Sequence, residues 1–141
     1  EVERIDAKTR QVWIRALGIR PGQDPYHVHH ARVDLDGGDP TVLTEGDGTH
    51  RVVPSPDGSV LVDTFSRVDL PPVTEVRDAR TGARIALLET GDDAPLRATG
   101  WRRPERFVAK GRDGTTDIHG VLWRPSNFDA RRKWPVIEQI Y

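Results

Sequence analysis

The sequence contains no cysteine and no methionine, and the first absence removes three chemistries at once: a disulfide framework, a thiolate zinc site and a cysteine nucleophile. It leaves the compartment open between cytoplasm and periplasm. Nor is there an excess of charge of either sign. The 21 basic side chains stand against 22 acidic ones, a formal net charge of −1, so no single-sign field exists to hold a phosphate backbone or an anionic membrane, and nucleic acid is excluded as a partner. No apolar run approaches the roughly 20 residues of a membrane-spanning helix, and Glu1 is neither a start methionine nor part of a signal peptide. The chain is therefore read as a soluble internal piece of a longer protein, with no membrane segment in it.

Uninterrupted windows long enough for an average helix are also scarce, because 13 glycines and 11 prolines punctuate the chain at short intervals. An all-β fold follows. Period-two alternation predicts strands over 2–5, 11–17, 27–35 and 41–43, then over 50–53, 59–66, 73–78 and 84–89. Turn chemistry separates them at Lys8-Thr9, Asp36-Gly37, Asp57-Gly58 and Thr81-Gly82. Laid over each other, residues 2–45 and 51–89 share one plan of four strands in about 40 to 45 residues, the size of a β-propeller blade. After a polar connector at 90–100, with a helical turn expected over 92–97, a different unit begins. It comprises a hairpin of strands 105–110 and 116–124 about Asp113-Gly114, a polar loop at 125–133, and an apolar strand at 134–141 suited to burial on both faces.

Candidate chemistry is thin. No GxSxG nucleophile elbow occurs, and Ser55, Ser59, Ser66 and Ser126 fall in turns, strands or loops. His27 and His29 share a face at period two, yet a closed metal site needs further ligands, so His27, His29 and His30 are read as solvated loop histidines. Asp34, Asp36 and Glu45 fit positions 1, 3 and 12 of a calcium loop, but Asp39 stands where that loop needs glycine. Neither a metal nor a cofactor is expected. Asp92-Asp93, Arg102-Arg103 and Arg131-Arg132 read as solvated loop faces, and Trp13, Trp101, Trp123 and Trp134 as core or inter-unit packing.

Four segments carry a family likeness: PGQDPYHVHHARVDLDG (21–37), LTEGDGTHRVVPSPDG (43–58), VDTFSRVDLPPVTEVRDARTG (62–82) and ATGWRRPERFVAKGRDGTTDIHGVLWRPSNFDARRKWPVIEQIY (98–141). Together they resemble the prolyl oligopeptidase family of serine peptidases, in particular its bacterial dipeptidyl peptidase IV-like members. The resemblance implies that 1–89 are the last two blades of a β-propeller, 90–100 a connector, and 101–141 the first strands of an α/β-hydrolase domain. It implies a parent enzyme that releases N-terminal dipeptides after Pro or Ala, with a peptide as its substrate and the propeller gating access. The nucleophile, acid and base would lie beyond Tyr141, leaving this piece inactive by itself. One functional residue carries over: Tyr141, at the end of the expected 134–141 strand, matches the tyrosine whose hydroxyl donates to the oxyanion hole. An endopeptidase or acylaminoacyl peptidase of the same family, and a non-catalytic β-rich interaction module, are the alternatives. Cut from a closed ring, the piece is expected to self-associate.

Overall fold

The structure, a computed structural model, describes residues 1–140. The alternating segments become strands, and each run of four folds back on itself between turns. Strands β1 (Val2–Asp6), β2 (Gln11–Leu17), β3 (Val28–Asp34) and β4 (Thr41–Val42) form one antiparallel sheet in chain order. Strands β5 (Thr49–Pro54), β6 (Val60–Arg67), β7 (Leu70–Asp78) and β8 (Arg84–Thr90) form a second on the same plan. These are the two blade-type sheets that the repeat predicts. Pairing of β2 with β3 runs unbroken from Gln11 opposite Asp34 to Leu17 opposite Val28. Pro71 and Pro72 enter β7 where its register on β6 shifts, ahead of its pairing with β8, so their missing N–H groups fall outside the regular ladder.

One turn pattern serves both sheets. The β1–β2 turn is Asp6-Ala7-Lys8-Thr9-Arg10 and the β7–β8 turn is Asp78-Ala79-Arg80-Thr81-Gly82. In each, the aspartate carboxylate accepts the backbone N–H groups two and three residues on, at 3.0 and 3.1 Å from Asp6 and at 2.9 and 2.7 Å from Asp78. The fifth residue then enters the left-handed region, Gly82 at φ 74° and Arg10 at φ 55°. Gly82 also lets the sheets approach, since a Cβ there would lie 2.8 Å from backbone atoms of Val42 and Leu43. The sheets meet at a small apolar cluster of Trp13, Leu43, Leu61 and Ala79.

Past β8 the connector carries the short helix α1 (Ala94–Ala98), with the Asp93 carboxylate paired to Arg97 at 3.0 Å and to Arg103 at 2.5 Å. Strands β9 (Glu105–Lys110) and β10 (Asp117–Leu122) then form the expected hairpin. Two expectations fail beyond it. Residues 134–140 form no strand, and Ile137 is 96% exposed. A strand exists only through hydrogen bonds to a neighbour, and no described strand pairs with this segment. Trp134 instead donates its Nε1–H to Asp129 O at 2.9 Å and packs on Phe128. Trp123 is likewise exposed rather than packed, because no described sheet covers that end of the hairpin. Among the described residues no helix is long and apolar enough to cross a membrane.

Candidate functional site

The seam between the two sheets is polar, and it corrects the reading of the histidines as solvated. His27, His29, His30 and His50 are all buried. β3 lies against β5 of the neighbouring sheet, and both of its histidines reach that seam, the His29 ring against the His50 ring and His30 Nε2 3.4 Å from His50 O. The rings of His29, His30 and His50 have a hydrogen-bond partner at each ring nitrogen. His29 lies between Gln23 and Thr44, with Nε2 2.8 Å from Gln23 Oε1 and Nδ1 3.0 Å from Thr44 Oγ1. Gln23 donates its amide N–H to Glu45 O, which leaves Oε1 facing the ring. His29 Nε2 is then the donor, and Nδ1 accepts from the Thr44 hydroxyl. Thr44 Oγ1 also accepts the His30 N–H at 3.1 Å. Burial pushes the His29 pKa down to about 4, helped by the positive surroundings of His50 and Arg20.

Across the seam the rings of His29, His50 and Phe65 follow one another at 4.7 and 4.8 Å between centroids. His50 Nδ1 lies 2.8 Å from Asp63 Oδ1, and its Nε2 donates to Gly46 O at 2.7 Å. Asp63, fully buried, also faces Arg77 Nε at 3.2 Å. Arg77 reaches Glu75 at 2.6 Å, Glu45 at 3.1 Å and Gly82 O at 2.8 Å. Burial opposes the Arg77 charge, but the Glu45 and Glu75 hydrogen bonds outweigh it and hold its pKa above the ordinary value. The seam is a network of paired charges and hydrogen bonds that ties the two sheets together through His29 and His30 against His50 and Glu45 against Arg77.

A second polar place lies where the hairpin meets the sheets. A groove of about 480 Å³ runs between the 22–26 loop and Asp47 on one side and Arg106, Phe107 and His119 of the hairpin on the other. His119 Nδ1 sits 3.4 Å from Asp24 Oδ2, with its ring edge-on to Tyr26. His27 Nε2 and Asp47 Oδ1 face each other at 3.4 Å, both buried and without a hydrogen bond. Burial holds the His27 pKa below its ordinary value, against the opposing pull of Asp24 and Asp47.

The serines and carboxylates weighed and set aside in the sequence are not brought together into a site among the described residues. Tyr141 lies outside the described residues. Ser55 and Ser59 donate to Asp57 at 2.6 and 2.9 Å within a turn, and among the described residues no serine hydroxyl is hydrogen-bonded to a histidine. Asp34, Asp36 and Glu45 are engaged separately, by Gln11, Arg10 and Arg77, and no three His, Asp or Glu groups converge as metal ligands among the described residues. What the sequence reading missed is the seam network. Asp63 is in phase with Leu61 and Phe65, and that phase was the available signal.

No protein-family model matches the chain. Its fold is shared with solved bacterial dipeptidyl peptidase IV structures. The dipeptidyl peptidase 4 of Porphyromonas gingivalis superposes with a TM-score of 0.68 at 20% identity, over 96% of this chain and 18% of that one. A candidate dipeptidyl aminopeptidase IV from Bacteroides ovatus superposes with a TM-score of 0.69 at 26% identity, over 95% of this chain and 19% of that one. The chain thus spans about a fifth of the length of the structures it resembles.

Proposed function

We propose that the chain is the junction between the last two propeller blades and the first strands of an α/β-hydrolase domain in a serine dipeptidyl peptidase of the prolyl oligopeptidase type. The observation that carries this reading is that two meander sheets, connector and hairpin superpose together on bacterial dipeptidyl peptidase structures over 95 to 96% of the chain. In the whole enzyme a serine outside this chain attacks the carbonyl carbon of the second substrate residue, and the amine of the third residue leaves. The Tyr141 hydroxyl then donates to the developing oxyanion, where one donor of this kind is worth about 10²- to 10³-fold in rate. Such a donor acts on the transition state more than on bound substrate.

In the longer polypeptide, Tyr141→Phe is expected to lower kcat on Gly-Pro chromogenic amides by about 10²-fold or more with KM little changed. The 141-residue chain alone is expected to show no turnover. An N-terminally blocked Gly-Pro amide separates exopeptidase from endopeptidase, because only the latter cleaves it. An unchanged rate in Tyr141→Phe removes the role given to Tyr141, and turnover by the repurified 141-residue chain overturns the reading itself.

A further inference from the structure

Two arginines in the structure each bridge the same two carboxylates. Arg67 donates through Nη1 to Asp47 Oδ2 and through Nε to Asp69 Oδ1, the latter at 2.9 Å. Arg106 donates through Nη2 to the same Asp47 oxygen at 3.5 Å and holds its Nε 3.3 Å from Asp69 Oδ2. The result is a closed ring of four charges alternating in sign. Its corners come from three parts of the chain: the loop between the sheets (Asp47), the β6–β7 turn with its flanks (Arg67 and Asp69), and the hairpin (Arg106). Burial pushes the Asp69 carboxyl up, but the hydrogen bond and charge of Arg67, joined by Arg106, hold it below the ordinary carboxylate range. Neither β9 nor β10 packs against any other described strand. The hairpin is instead attached by side chains: Arg106 in the ring, and His119 against Asp24 and Tyr26 on the far side of the groove.

We infer that the Arg67–Asp47–Arg106–Asp69 ring is an ionic latch that fixes the angle of the hairpin over the sheets and so sets the width of the groove beside it. Apolar burial is non-directional, whereas a guanidinium that bridges two carboxylates has a defined plane and reach. Of the hairpin's attachments, Arg106 alone supplies that geometry. The four side chains keep 18 to 39% of their surface in solvent, so dissolved salt reaches the ring. The screening length falls from about 8 Å at physiological ionic strength to about 3 Å at 1 M, close to the pair distances themselves. The inference stands on the ring and the groove and does not require the peptidase reading.

Because the chain lacks cysteine, two introduced thiols can be spin-labelled without background. Labels at the exposed positions Arg51→Cys in β5 and Arg112→Cys at the hairpin tip report the hairpin angle as a distance distribution by pulsed electron resonance. One narrow distribution is expected for the otherwise unaltered chain, diluted into an excess of unlabelled chain so that only distances within one chain are read. Arg106→Gln is expected to at least double its width or add a longer distance, and Asp47→Asn to do the same from the adjacent corner. Arg124→Gln breaks a pair with Glu105 inside the hairpin and is expected to leave the distribution as it was. Superimposable distributions for Arg106→Gln and the parent, a parent distribution already broad, or equal broadening by Arg124→Gln each overturn the latch. The readout is a distance, so its failure and that of the proposed activity are separate results.

Discussion

Arg10 and Gly82 hold the same place in the same turn, one at φ 55° and the other at φ 74°, and substitution should act on them in opposite directions. Alanine at 82 must adopt a left-handed backbone and push its Cβ to 2.8 Å from the backbone of Val42 and Leu43. Strain and overpacking together predict a loss of about 2–4 kcal/mol in urea unfolding. Arg10→Gly relieves the same backbone and gives up only an exposed pair with Asp36, so its melting temperature should not fall. A drop as large as that of Gly82→Ala would mean that the left-handed turn is not where the strain lies. His29 gives a pH dependence of definite sign. Its pKa is about 4 in the folded chain against about 6.5 unfolded, so between those values the unfolded state binds more protons. Stability should fall as pH drops through that window, by about 1.4 kcal/mol per unit for this one proton. His29→Gln removes the titrating ring, and urea midpoints measured from pH 6.5 to 4.5 should show the shallower slope. An equal slope would assign the effect to another group.

Strands were legible from sequence where alternation and turn residues agreed, as in β2, β6 and β10. The contents of their inner faces were not. In β6 the phase that buries Leu61 and Phe65 also buries Asp63, and in β7 the inner phase carries Glu75 and Arg77. A pattern search for apolar residues passes over such positions, although burial is tolerable there because each charge meets its partner. Asp63 stands directly opposite Glu75 in the ladder, so two like charges share one face and Arg77 keeps them together. Removing one member of a buried pair strands the other. Asp63→Asn is therefore expected to cost about 3–5 kcal/mol, and a measured loss under about 1 kcal/mol would show that the seam does not depend on its charge. The segment 134–140 failed for the complementary reason: its apolar pattern is that of a strand, but pattern supplies no partner.

For the whole molecule, the plan of two four-stranded sheets and a hairpin was legible because repeat length and turn spacing are local. The latch was not, since Asp47 and Arg106 are 59 residues apart and nothing in either neighbourhood refers to the other. The outer strand β8 exposes Ile85, Leu87 and Leu88, and the 134–140 segment exposes Val136, Ile137 and Ile140. An uncovered edge and an uncovered apolar segment favour association. Sedimentation equilibrium over a tenfold concentration range should accordingly give a mass that rises above 15.8 kDa, and a monomeric mass throughout would refute this expectation. The polar seam bears on how such sheets can be exchanged between proteins. Two oily faces tolerate many partners, but a face carrying His29, Gln23 and Thr44 accepts only one that returns His50 and its carboxylate at the right height. Transplanting the second sheet alone into a foreign protein would leave His50 without His29 and Arg77 without Glu45 beside them. A graft that moves residues 20–82 as one block carries lock and key together, and recombination among such proteins should be tolerated at the outer turns sooner than at the seam.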